Sequence, residues 1–143
     1  EADTVPRPFV GQGRMRFIDP AAKGATEPIG SRIITLPEDQ DLARLRDPRS
    51  GFVAYVPTGS IARGKALAET GACAKCHGEG LKGQANVPRL AGNHPIYLVR
   101  QLIHFKEGTR KGPNATQMIA LAAKLSEADM IALAAYAGSL SPE

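Results

Sequence analysis

The spacing of hydrophobic residues changes character near residue 58. Before it, apolar residues come in short clusters cut by proline. Pro6, Pro8, Pro20, Pro28, Pro37, Pro48 and Pro57 are seven of the chain's eleven, a density at which no helical period survives, because each ring fixes φ and removes a backbone donor. β-Branched and aromatic residues between Gly and Pro predict short extended pieces at Arg14–Ile18, Arg32–Leu36 and Phe52–Val56. Pro37, followed by Glu38, Asp39 and Asp41, predicts one or two helical turns. Residues 1–57 are therefore expected to form an irregular arm holding short strands. Disorder is one reading of it. The other is packing on the rest of the chain through Ile33, Ile34, Phe52 and Tyr55, which with Leu36, Val53 and Val56 make the arm too apolar for a pure linker.

From Thr58 onward helical spacing takes over. Ser60 is the expected cap of a helix through Ile61, Gly64, Ala66 and Leu67. Gly64 costs up to about 1 kcal/mol of helix propensity, which predicts close contact with another helix, Tyr136 being the expected partner. The runs Gly78–Gln84 and Val87–Gly92 read as loop. Asn93 is the expected cap of a helix with Pro95 in its first turn and an end near Gly108. Leu98, Leu102 and Phe105 form its apolar face, beside a polar pair, Tyr97 and Gln101. A basic loop, 108–113, leads to a helix carrying Met118, Ala122 and Leu125. Ser126 and Asp129 signal the start of a last helix through Ile131, Leu133 and Tyr136, stopping at Gly138.

At 143 residues, the chain has room for one core of ordinary size. Aromatics are 5% and Trp is absent, so residues 58–143 are short of bulky side chains for an interior. No apolar run approaches the roughly 18 residues of a membrane span, and the first residues lack signal-peptide character. The net charge of +4 is unevenly spread: 1–57 holds eight basic and eight acidic residues, 58–143 ten and six. Lys75, Lys82 and Arg89 belong to this basic part, which suits an acidic protein partner. The basic residues are scattered and lack interleaved aromatics, which argues against nucleic acid.

Chemistry concentrates at Cys73-Ala74-Lys75-Cys76-His77. Two thiols three positions apart can each add across a vinyl group of one porphyrin, and the adjacent imidazole then meets the iron, so the run reads as a covalent haem c site. A bound porphyrin would also supply the missing apolar bulk. The rival readings are a thioredoxin-like dithiol, a zinc site completed by His94 and His104, and a short disulfide. A metal-bound histidine donates its other N–H to a carbonyl or carboxylate, and the Pro88 carbonyl is the expected acceptor. Tyr97 and Gln101 read either as part of a helix surface or as donors to haem propionates.

With these motifs in view, residues 60–140 resemble a class I c-type cytochrome, most closely one half of the two-haem cytochromes c4. The resemblance rests on C-x-x-C-H-G at 73–78, V-P-R-L-A-G at 87–92, Y-L-x-x-Q-L-x-x-F at 97–105, G-T-R at 108–110, Met118, and L-A-A-Y-A-G-S-L at 133–140. The chain departs from the family in having Ala68 where an aromatic is common. Glu27–Gly30 and Arg46–Phe52 loosely resemble the segment before the C-terminal haem domain of some bacterial two-haem cytochromes. The resemblance implies an all-α cytochrome c fold of about four helices around one covalent haem in 58–143, with the arm 1–57 packed on it. It implies one haem c on Cys73 and Cys76, His77 and Met118 as axial ligands, and Tyr97 and Gln101 at the haem edge. Of the other methionines, Met15 lies in the arm and Met130 inside the last helix.

The implied function is one-electron transfer between redox proteins with acidic docking surfaces, in the periplasm, without catalysis. Another haem domain is a further expected partner. The alternatives are a haem-bearing subunit or domain of a larger dehydrogenase or oxidase complex, and a haem enzyme or gas sensor with an open sixth position.

Overall fold

Proline placement shapes the first part of the chain. In a computed structural model that describes residues 1–71 and 73–143, the chain divides into two units, 1–58 and 59–143. Six short strands occur among the described residues of the first: β1 (Thr4–Pro6), β2 (Pro8–Val10), β3 (Arg16–Ile18), β4 (Thr26–Pro28), β5 (Ile34–Pro37) and β6 (Phe52–Tyr55). They pair antiparallel as β1 with β4, β2 with β3 and β5 with β6, with Phe9 opposite Phe17 and Leu36 opposite Val53. Pro6, Pro8, Pro28 and Pro37 all stand at strand ends, where a missing N–H costs the ladder least. The short helix α1 (Gln40–Arg44) starts at Asp39, whose carboxylate accepts from the N–H groups of Asp41 and Leu42 at 2.9 and 3.0 Å.

The first unit has a core of its own. Val5, Ile29, Ile34 and Leu36 are buried together, with Ile18 and Tyr55 packed against them. The three expected extended pieces lie where β3, β5 and β6 form, while β1, β2 and β4 were not anticipated. The arm is thus more regular than its proline count suggests.

The second unit is helical: α2 (Ser60–Thr70), α3 (Cys73–His77), α4 (Pro95–Lys106), α5 (Thr116–Ala122) and α6 (Glu127–Ser139). The helix α2 packs along α6 at Gly64, where a Cβ would run into the Ala132 carbonyl oxygen and come within 2.8 Å of Tyr136 Cβ. The expected glycine contact is therefore real. Arg63 adds an ion pair to Asp129 at 2.6 Å. Helix α4 packs on both α5 and α6.

Helix ends differ from expectation in four places, the first being α5, which stops at Ala122 and leaves Leu125 beyond it. Gly59, at φ +85°, precedes α2, and Ser60 is already its first, buried residue. His94 rather than Asn93 precedes α4, and no side chain caps it; the Asn93 amide donates to the Arg89 carbonyl at 2.9 Å. The last helix continues through Gly138 to Ser139. A Cβ at Gly138 would lie 2.7 Å from the Pro95 ring, so this glycine allows close packing and is no stop signal. Among the described residues no helix is long and apolar enough to cross a membrane.

Candidate haem site

The C-x-x-C-H run folds as the single short helix α3, which puts Cys73 and Cys76 on one face, since residues three apart are neighbours on a helix surface. Both thiols are free, Cys73 half-buried and Cys76 exposed. Burial pushes the Cys73 thiol above its ordinary pKa, and Cys76 adds a smaller push the same way. His77 is buried, 6% exposed. Its Nδ1 lies 2.8 Å from the Pro88 carbonyl oxygen. A carbonyl can only accept, so Nδ1 carries a proton, which leaves Nε2 as the nitrogen that could offer a lone pair to a metal.

The other expected residues lie on α4 and α5. Tyr97 and Gln101 stand one turn apart on α4, Tyr97 half exposed. Met118, on α5, is half-buried against a cluster of Phe105, Ala115 and Ala122, and lies close to His77. Met130 is 1% exposed within the α6 packing, and Met15 belongs to the first unit.

Arg110, which the sequence offered only as part of the G-T-R run and without a role, joins this group. Its Nη1 donates to Gln101 Oε1 at 2.7 Å, and its guanidinium lies 4.6 Å from the centre of the Phe105 ring. The signal was Gly108, whose φ of +69° turns the chain back at the end of α4, so that the Thr109 and Arg110 N–H groups both reach the His104 carbonyl. With its oxygen occupied, the Gln101 amide keeps both N–H donors for an acceptor outside the chain.

These residues fit a haem c. The two thiols and the His77 imidazole, with Nε2 left for a metal, have the chemistry it needs. The buried hydrophobic residues of the second unit are mostly alanines, with Leu81, Leu98, Phe105 and Met130 as the larger members, an interior that suits a large apolar ring. The rivals fit less well. His94 and His104 are ten residues apart along α4, roughly 15 Å by helical rise, too far to share one ion. No three His, Cys, Asp or Glu side chains gather as a metal-ion site among the described residues. The motif's neighbours in the chain are helices, α2 before it and α4 beyond the loop, which is no βαβ setting for a redox dithiol.

Fold and motif together define a c-type cytochrome domain. Residues 61–141 match the Cytochrome c family profile, so the chain belongs to the cytochrome c family. Within it the likeness is to cytochrome c4. The protein of that name from Pseudomonas aeruginosa is 33% identical over 117 residues, covering 73% of this chain and 58% of its own length. That from Stutzerimonas stutzeri is 32% identical, covering 79% and 63%. The solved cytochrome c4 of Acidithiobacillus ferrooxidans superposes with a TM-score of 0.53 at 33% identity, covering 60% of this chain and 53% of that one. The chain thus spans between half and two thirds of these relatives. The sequence matches cover more of it than the second unit supplies, and so include part of residues 1–58.

Proposed function

We propose that this chain carries one electron at a time between redox proteins on a single haem c bound through Cys73 and Cys76, with His77 and Met118 as axial ligands. The observation that carries this reading is the buried His77 ring, hydrogen-bonded to Pro88 and one residue from a free thiol. When bound, the haem supplies the one-electron couple between Fe(III) and Fe(II). Pro88 orients the His77 ring and strengthens it as a donor. Met118 offers a soft thioether, which favours Fe(II). Tyr97, Gln101 and Arg110 offer O–H and N–H donors to the haem carboxylates. With His77 and Met118 both holding the iron, no position would remain for a substrate, so the chain itself would act as a carrier and not as a catalyst. Its expected compartment is the periplasm.

A relative 42% identical over 76 residues is named thiosulfate dehydrogenase electron acceptor, which favours an enzyme as one redox partner. A haem-bearing domain of a larger dehydrogenase or oxidase complex is the second reading, and another haem domain is a candidate neighbour.

Visible spectra of the oxidised and reduced protein, with a haem count per chain, test the assignment. One haem is expected, with a reduced spectrum unchanged by carbon monoxide. Met118→Ala should then lower the reduction potential, each tenfold shift in the equilibrium being ~59 mV, and should open the iron to carbon monoxide. If Met118→Ala kept both properties while Met130→Ala lost them, the ligand assignment would be wrong.

A further inference from the structure

The loop that brings Pro88 to His77 is tied to the haem-binding helix by a residue with no assigned role. Gly78, at φ +79°, takes the chain out of α3, so the carbonyls of its last turn lack helical donors. Two of them are met from the following loop. Gly83 N–H donates to the His77 carbonyl at 2.7 Å, and the Gln84 side-chain amide donates to the Lys75 carbonyl at 2.8 Å. Gln84 also opens the turn that reverses the chain towards Pro88. Its N–H and carbonyl pair with those of Val87 at 3.2 and 2.9 Å, and Ala85 holds a left-handed φ of +46° within the turn. Such a φ is strained for a residue with a side chain, so the turn needs an external anchor. Gly83 seats it closely, since a Cβ there would lie 2.8 Å from the Arg89 N and 3.1 Å from the Val87 O.

We infer that Gln84 is a positioning residue for the axial histidine: its amide, fixed on the Lys75 carbonyl between the two cysteines, sets how firmly the Pro88 carbonyl holds His77 Nδ1–H. The inference rests on the reading of His77 as an iron ligand. A firm acceptor makes the imidazole a stronger donor, which favours Fe(III); loosening it shifts the equilibrium towards Fe(II). Gln84 is exposed, so water competes for its bond and the effect is modest.

Two neutral variants of the haem-loaded protein carry the test. Gln84→Ala removes the side chain, and Gln84→Met keeps its length but cannot donate. Both should speed exchange of the His77 ring N–H, followed by NMR of the reduced protein, several-fold. Both should also raise the reduction potential, by at most the ~59 mV of a tenfold shift. Wild-type exchange or an unaltered potential in Gln84→Met overturns the inference, because the residue would then act only by filling space. That variant decides alone if Gln84→Ala fails to fold. Absence of a low-spin, six-coordinate haem spectrum in the unmutated protein would sink the ligand assignment and the inference with it. Its presence alongside unaltered variants would sink the inference only.

Discussion

Asp129 serves two elements at once. At the start of α6 its carboxylate accepts from the Ser126 hydroxyl at 2.6 Å and the Ser126 N–H at 3.1 Å, while its own N–H donates to the Ser126 hydroxyl at 3.2 Å. Its other oxygen accepts from Arg63 of α2 at 2.6 Å. The Ser126 hydroxyl first, then Arg63, hold the carboxyl below its usual pKa. A depressed carboxylate contributes stability that is fully present above the unfolded value, about 4, and is lost as pH falls through the lower folded value. Asp129→Asn should therefore destabilise at pH 7, and its deficit against the unmutated protein should shrink below pH ~4. Denaturant midpoints at pH 7 and at pH 3 check this; an equal deficit at both would refute it. The capping pair was legible in the sequence because it is local. Arg63 was not, lying 66 positions away.

Between elements, the α2 and α6 crossing depends on one missing methyl group. Gly64→Ala gains up to about 1 kcal/mol of helix propensity. It also drives a Cβ into the Ala132 carbonyl and to 2.8 Å from Tyr136 Cβ, atoms of a helix backbone and its first side-chain carbon, which have no flexible end to give way. Overpacking of this kind costs typically about 1–3 kcal/mol, so the net effect should be a lower Tm. A Tm equal to or above that of the unmutated protein would show that the helices can separate freely. The glycine was recognisable because its propensity cost needed a reason. Gly138 has the same purpose and was misread as a stop, since a glycine that ends a helix and one that admits a neighbour look alike in one dimension.

For the whole molecule the asymmetry of charge matters most. The first 57 residues are neutral and the +4 lies in the remainder, where Lys75, Lys82 and Arg89 are all exposed in the segments 73–77 and 78–92 around His77. Glu79 is the one acidic residue of these segments, and the excess of positive charge speeds encounter with a partner of opposite sign and orients it. Reversing all three to Glu should slow reduction by an acidic redox protein and flatten the salt dependence of the rate. Stopped-flow rates at low ionic strength that match those of the unmutated protein would count against this surface.

Spacing along the chain was enough for whatever chemistry acts between near neighbours. Two thiols and an imidazole within one helical turn, the Ser126 and Asp129 cap and the long amphipathic helices all depend on residues a few positions apart, where backbone geometry dictates who meets whom. Tertiary structure decided the contacts that need the chain to return. The strand β1 acquires meaning only through β4, some twenty residues later, and three-residue strands are too short to show a period of two. Gln84 reaches Lys75, and Arg110 reaches Gln101, because Gly78 and Gly108 adopt positive φ and redirect the chain. A local pattern records which groups are present, whereas only the folded path brings a distant donor within the roughly 3 Å of a hydrogen bond.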